Sequence, residues 1–312
     1  MELLESITEQ MEDRLFADIG YSREKLNTDL QYIKEWLKKQ HHLPPSRLKE
    51  KDTFLKMFIT GCKGDLDIVK HKLDAYYTFR AHSNLYQCRD PLDHSYNIAK
   101  QYFYFCAVPK IDDNMLVRVI MFSLADSDST KFDLLAYCRK IISFGELRLR
   151  MDQVCVRDFI IINCKGSSIG HIIKLKPFLL RDMARLGQEI MPLRYMKAVF
   201  INTPSVVEIA INRLIKPLLK KKLKERIIIT SGDYEELYQY LDRSCLPGDY
   251  GGDYPTLKEL SDRWHELESE HRDWYINDLS EQTDETKRLQ NNDTMINQFA
   301  GFKASFKNLL LN

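Results

Sequence analysis

Leu3, Leu4, Ile7, Met11 and Leu15 recur at three- and four-residue spacing, and so do Leu26, Leu30, Ile33 and Leu37. This spacing predicts two amphipathic helices, ended by the breaker Leu43-Pro44-Pro45. A third helix over 52–59 carries Phe54, Leu55, Phe58 and Ile59 on one face. Gly61 and Gly64 interrupt it, and a fourth runs from about residue 65 to 79 with Ile68, Leu73, Tyr76 and Tyr77 apolar. Residues 1–95 therefore predict a small all-helical unit.

The period changes near residue 103. The runs 104–108, 116–122, 156–162, 198–201 and 226–230 are short and rich in β-branched or aromatic residues. Several are apolar at consecutive positions, as strands covered on both faces are. Helical stretches at 131–151, 172–190 and 205–225 separate most of them, and a further helix is predicted over 256–279. Strand and helix in alternation predict an α/β domain over 96–280, with a mostly parallel sheet covered by helices. Residues 277–294 are polar and predicted mobile. Within the last segment, 281–312, Met295, Phe299, Phe302, Phe306 and Leu309 form an apolar stripe. That stripe is expected to dock on the body as a helix or as coil.

Across the 312 residues, 46 basic side chains meet 45 acidic ones. This near-balance gives no reason to expect a nucleic-acid partner, so any electrostatic partner must be met by a local patch. The N-terminal segment lacks the basic start and apolar stretch of a secretory signal. No apolar run approaches the roughly 18 residues of a membrane span. The seven cysteines are scattered and never in a CxxC pair, which reads as reduced thiols of a cytoplasmic protein. HExxH, Walker and GxGxxG motifs are absent from the sequence. The eight histidines are dispersed without metal-ligand spacing. The expectation is a protein with no catalytic residues, no metal and no cofactor.

Three blocks carry a resemblance. The first is Asp52-Thr-Phe-Leu-Lys-Met-Phe-Ile59, continuing through Gly64-Asp-Leu-Asp-Ile-Val69 to Tyr76-Tyr-Thr-Phe-Arg80. The second is Phe159-Ile-Ile-Ile-Asn163 with the turn Cys164-Lys-Gly-Ser-Ser-Ile-Gly-His171. The third comprises Met191-Pro-Leu-Arg194, Phe200-Ile-Asn-Thr-Pro204, Lys216-Pro-Leu-Leu219, Lys224-Glu-Arg-Ile227 and Leu246-Pro-Gly-Asp-Tyr-Gly-Gly252. In order and spacing they resemble the CRAL-TRIO lipid-binding family over roughly residues 25–260. The chain departs from the family pattern at Val199, where a histidine is common, and at Met57, Thr60 and Cys62, where arginines are.

The resemblance implies a sheet with one face left open, a lipid held there, and a mobile lid helix. The lid is expected from Ser205, which can cap it after Pro204. Val206, Ile209, Ala210 and Leu214 on that helix are expected to line the pocket with Val119, Met121, Phe159 and Ile161 of the strands. An enclosed terpenoid hiding on the order of 400 Å² of apolar surface would gain roughly 10 kcal/mol. Behind the lid come Lys216, Lys220, Lys221, Lys222, Lys224 and Arg226. In tocopherol-binding relatives basic residues here meet phosphoinositide headgroups, and the matching positions are Arg194, Lys222 and Arg226. The implied function is cytosolic carriage of a tocopherol, retinoid or carotenoid, exchanged during transient peripheral contact with anionic, phosphoinositide-containing membranes. Phospholipid exchange, or a regulatory scaffold with a collapsed cavity, are the alternatives.

Overall fold

The computed structural model describes residues 3–44, 52–152 and 154–288. Thr8, Ser22 and Asp65 accept hydrogen bonds from backbone N–H groups in the first turns of three helices: α1 (Glu9–Ile19), α2 (Arg23–Lys38) and, after α3 (Asp52–Gly61), α4 (Leu66–His82). Helix starts carry unpaired donors, and these side chains satisfy some of them. The four helices bury Leu30, Ile33, Phe54, Phe58 and Val69 in one core. α5 (His94–Tyr102) then leads into the sheet.

The sheet has five strands in chain order: β1 (Phe103–Asp112), β2 (Val117–Leu124), β3 (Arg157–Asn163), β4 (Arg194–Ile201) and β5 (Ile227–Ile229). β1 pairs antiparallel with β2, and the remaining pairs are parallel. Right-handed crossovers that all step in one direction leave their helices on one face. α6 (Leu134–Met151), α7 (Ile169–Ile172), α8 (Pro177–Arg185) and the 205–224 segment are those connections. The opposite face receives α11 (Leu257–Glu270) and the turns at 234–250.

Register sets which side chains meet which layer. Val119 pairs with Phe159 and Met121 with Ile161, and Val199 lies beside Ile161. These side chains are fully buried with Leu260 and Trp264 of α11 in a second core. Ile120, Ile160 and Ala198, then Phe122, Ile162 and Phe200, are the alternate partners and face the crossover helices. At the end of β4 Asn202 takes φ 49°, a left-handed position that asparagine tolerates. Its side-chain amide donates to Asn163 Oδ1 at 3.1 Å.

Long predicted helices are broken. The stretch 205–225 is α9 (Ser205–Ala210), a π turn at Ile211–Ile215, a 3₁₀ turn at Lys216–Leu218 and α10 (Lys221–Lys224). Pro217 has no N–H to continue an α ladder. Pro204, not Ser205, occupies the N-cap, and no side chain caps the helix. Residues 172–190 divide likewise into α7, α8 and a π turn at Leu186–Ile190, and 256–279 divides at His271 before α12 (Arg272–Asn277).

The helical unit and the α/β body share one interior. The first core continues into Leu134, Ile142 and Leu149 of α6 and Leu179 of α8. Arg80 of α4 reaches Glu146 of α6 at 3.1 Å and Asp278 at 2.5 Å, and Arg89 meets both carboxylates, all nearly inaccessible to solvent. Gly61 sits so close to Pro192 that any side chain there would collide with the backbone. Lys72 donates to Met191 O at 2.6 Å and Cys155 Sγ to Pro192 O at 3.1 Å.

The polar stretch after 277 is tied down as far as 288. Asp284 N donates to His42 O at 2.8 Å, and Arg288 pairs with Asp74. Burial of a fully satisfied arginine overrides the polar composition that predicts mobility there. The stripe Met295 to Leu309 lies outside the described residues.

Candidate functional site

The face of the sheet turned to the crossover helices is not packed solid. Ile160 and Ile162 stay partly accessible there, while Phe159 and Ile161, on the other face of the same strand, are completely buried. The space is two adjoining cavities. The inner one, of about 140 Å³, lies under α6 and α8 against Ile120, Phe122 and Met191. The outer one, of about 220 Å³, lies against Ile162, Phe200, Ile215, Leu219 and Leu223. Ile160, Met183, Gly187 and Tyr195 border both.

Charge at the wall of the inner cavity is internally paired. Arg148 binds Asp158 through two parallel hydrogen bonds of 2.8 and 2.9 Å at the inner end. Burial raises the Asp158 carboxyl despite that arginine. Arg118 joins the same cluster through Asp152 at 3.0 Å. Gln188 donates to Ala184 O and Leu218 O and accepts from the Lys220 N–H at 2.7 Å. It thereby fastens the 216–220 turn over α8. Burial pushes the Cys62 and Cys164 thiols up to about 11, which leaves them protonated and poorly nucleophilic at neutral pH. Among the described residues no three His, Cys, Asp or Glu side chains gather as a metal site. The chamber is suited to hold hydrocarbon.

The structure places none of the eight expected lining residues at either cavity. Val119, Met121, Phe159 and Ile161 belong to the solid core on the α11 side and border neither cavity. Their parity is wrong by one residue, and a one-residue offset in a strand reverses the face. The apolar run Phe159-Ile160-Ile161-Ile162 offers no alternation to choose by. A usable signal was present in Arg118 and Asp158, which pair in register. Both share a face with Ile120 and Ile160, and two charged groups are poor company for a solid apolar core.

On α9, Val206 packs with Val207 and Ile211 against Ile162, Phe200 and Ile229, and Ala210 is buried. Val206 and Ala210 border neither cavity. Ile209 and Leu214 point outward, 52% and 39% exposed. Ile169 and Ile173, at and just beyond α7, are exposed as well, at 58% and 77%, and α7 contacts α9. The lid-side contribution to the cavity comes instead from Ile215, Leu219 and Leu223.

The three basic positions have separate environments. Arg226 borders the outer cavity and donates to Tyr195 O. Lys222 is exposed on α10, with Lys220, Lys221 and Lys224 also exposed nearby. Arg194 is engaged with Asp18 of α1 at 2.8 Å. That hydrogen bond holds the Asp18 carboxyl below its usual range.

The profile described as "CRAL/TRIO domain" matches residues 102–252, and "Pinta-like, UBA domain" matches 22–96. Clavesin-1 of Xenopus laevis is 27% identical over 139 residues, covering 44% of this chain and 42% of that protein. Clavesin-2 of Homo sapiens is 26% identical over 139 residues, with 44% and 42% covered. The match thus spans less than half the length of these curated relatives. The solved structure of Sfh5 aligns at a TM-score of 0.49 with 14% identity, covering 77% of this chain and 92% of that one. The profile match across the sheet with its helix-covered hollow face identifies residues 102–252 as a domain of the CRAL-TRIO lipid-binding family.

Proposed function

We propose that the protein is a non-catalytic cytoplasmic carrier of one small neutral lipid of the tocopherol, retinoid or carotenoid class. The observation that carries this reading is the pair of apolar cavities of about 140 and 220 Å³, the inner one with its Arg148 and Asp158 charges paired. Together they fall near the lower end of the roughly 300–1,000 Å³ of small-molecule pockets. A single isoprenoid suits that size, and a whole two-chain phospholipid does not.

Exchange takes place at a membrane. The exposed Ile169, Ile173, Ile209 and Leu214 supply apolar anchors, and Lys220, Lys221, Lys222 and Lys224 follow on the same segment as Leu214. Apolar insertion and basic attraction are the two contributions that peripheral binding to an anionic surface needs. No helix among the described residues is long and apolar enough to cross a membrane. A second reading, phospholipid exchange, is favoured by Arg226, a cation at the outer cavity.

Mass spectrometry of lipids extracted from the purified protein separates these readings. A stoichiometric isoprenoid, returned chemically unchanged after incubation, supports carriage. A phospholipid supports the second reading, and a protein without lipid would remove both.

A further inference from the structure

Tyr195 stands where the two cavities meet, together with Ile160, Met183 and Gly187. Tyr195 leaves β4 on the hollow face and crosses to the π turn after α8, where its hydroxyl abuts Gly187. A side-chain carbon at Gly187 would lie 2.7 Å from that oxygen, so glycine is the residue that lets the tyrosine span the gap. Every other polar group named at the cavity walls is engaged. Arg148 holds Asp158, Gln188 is bonded at both ends, and Arg226 takes the Tyr195 carbonyl. Lys197 lies 4.9 Å over the Tyr240 ring. Among the described residues, no group hydrogen-bonds the Tyr195 hydroxyl.

Tyr195 is only partly buried and its hydroxyl opens onto apolar cavity walls, so a bound molecule can take its hydrogen bond in place of water. Its location decides what can make that bond. Apolar space extends from Tyr195 in two directions, under α6 on one side and under the 211–223 segment on the other. A terminal alcohol at the hydroxyl would fill one cavity and leave the other without hydrocarbon. An oxygen partway along a molecule fills both. We infer that Tyr195 selects a neutral lipid with an internal oxygen acceptor, an ester or ketone flanked by hydrocarbon on both sides. Tyr195 donates to the carbonyl and the two flanks occupy the two cavities. This rests on the carrier reading above and narrows its ligand to esterified forms of those isoprenoids, in which the carbonyl lies between two hydrocarbon parts.

The test uses the full chain and three probes of equal chain length: decyl decanoate, the matching alkane and the matching primary alcohol. Each is presented in neutral phosphatidylcholine vesicles, and partition into the protein is measured. The expected order places the ester about five- to tenfold above the alkane, as one net hydrogen bond allows, with the alcohol below the ester. Tyr195→Phe should abolish the preference for ester over alkane and leave alkane uptake unchanged. Gly187→Ala, which displaces the hydroxyl, should act in the same direction and covers the case of a poorly folded Phe variant. An ester preference that survives in folded Tyr195→Phe overturns the assignment. So does equal uptake of all three probes by the unaltered protein, although carriage then stands. Failure to take up any probe overturns the carrier reading itself.

Discussion

Arg288 lays its two terminal nitrogens on the Asp74 carboxylate at 2.8 and 2.9 Å, joining positions 214 residues apart. Thr78 accepts from the same guanidinium and His42 shares the carboxylate, at 2.8 and 3.0 Å. The strand of chain that follows α12 is thereby fastened to α4.

This clamp has an acid limit. Burial acts to raise the Asp74 carboxyl, but hydrogen bonds from His42 and Arg288 outweigh it and hold the group down to about 2. A carboxyl depressed on folding adds stability that is complete above its unfolded value, near 3.9, and disappears as pH falls toward the folded one. The contribution is about 2 kcal/mol, lost between about pH 4 and pH 2. Asp74→Asn should lower stability at pH 7 and flatten that part of the pH dependence in denaturant titrations. An unchanged profile would show that the clamp forms without the charge.

The buried network among Arg80, Arg89, Glu146 and Asp278 couples the helical unit to the body. Glu146→Ala leaves two buried guanidiniums short of a partner, and breaking such a pair costs about 3–5 kcal/mol. The same coupling predicts that residues 95–280 alone are insoluble or loosely packed. A single calorimetric transition for the whole chain, and a fragment without sharp amide resonances, are the expected observations.

Opposite faces of β3 should respond differently. Ile161→Ala opens a hole in the solid core and should cost about 2–5 kcal/mol. Ile160→Trp projects into the hollow face, so the melting temperature should hold while bound lipid in extracts falls. Reversal of the two outcomes would exchange the roles of the faces.

The proposed membrane docking should separate from lipid uptake at the lysines. Lys221→Glu with Lys222→Glu should strongly reduce co-sedimentation with anionic vesicles and leave uptake of a neutral lipid unchanged, because neither side chain borders the cavity. Ile173→Asp with Ile209→Asp should weaken binding to anionic and neutral vesicles alike. Arg226→Glu should impair both activities, since Arg226 borders the outer cavity and also holds the carbonyl of Tyr195.

Much of the fold is legible in the sequence because burial imposes period. The helices of the N-terminal unit and the β/α alternation after 103 follow from spacing alone. The lining does not, because a strand apolar on both faces carries no parity, and Phe159 and Ile160 are equivalent until the register with Arg118 and Asp158 is known. Arg194 matches a family position, yet its engagement with Asp18, 176 residues away, has no local signal. Ile209 and Leu214 are apolar in either role, and only the broken path of the 205–224 segment turns them outward. Tyr195 reads as an ordinary strand aromatic, and nothing near it in sequence announces Gly187 across the gap.

The close seat of Gly61 on Pro192 bears on how such a chain can be recombined. Pro192 and Met191 open the turn into β4, and Met191 is also part of the inner cavity wall. Lys72 and Cys155 hold the same two carbonyls. The helical bundle is thus a shim beneath the lipid chamber, and its thickness at Gly61 sets where the strand bearing Tyr195 begins. A chimera that imports another protein's bundle must import the 191–193 turn with it, or the chamber changes shape although none of its own wall residues has been touched.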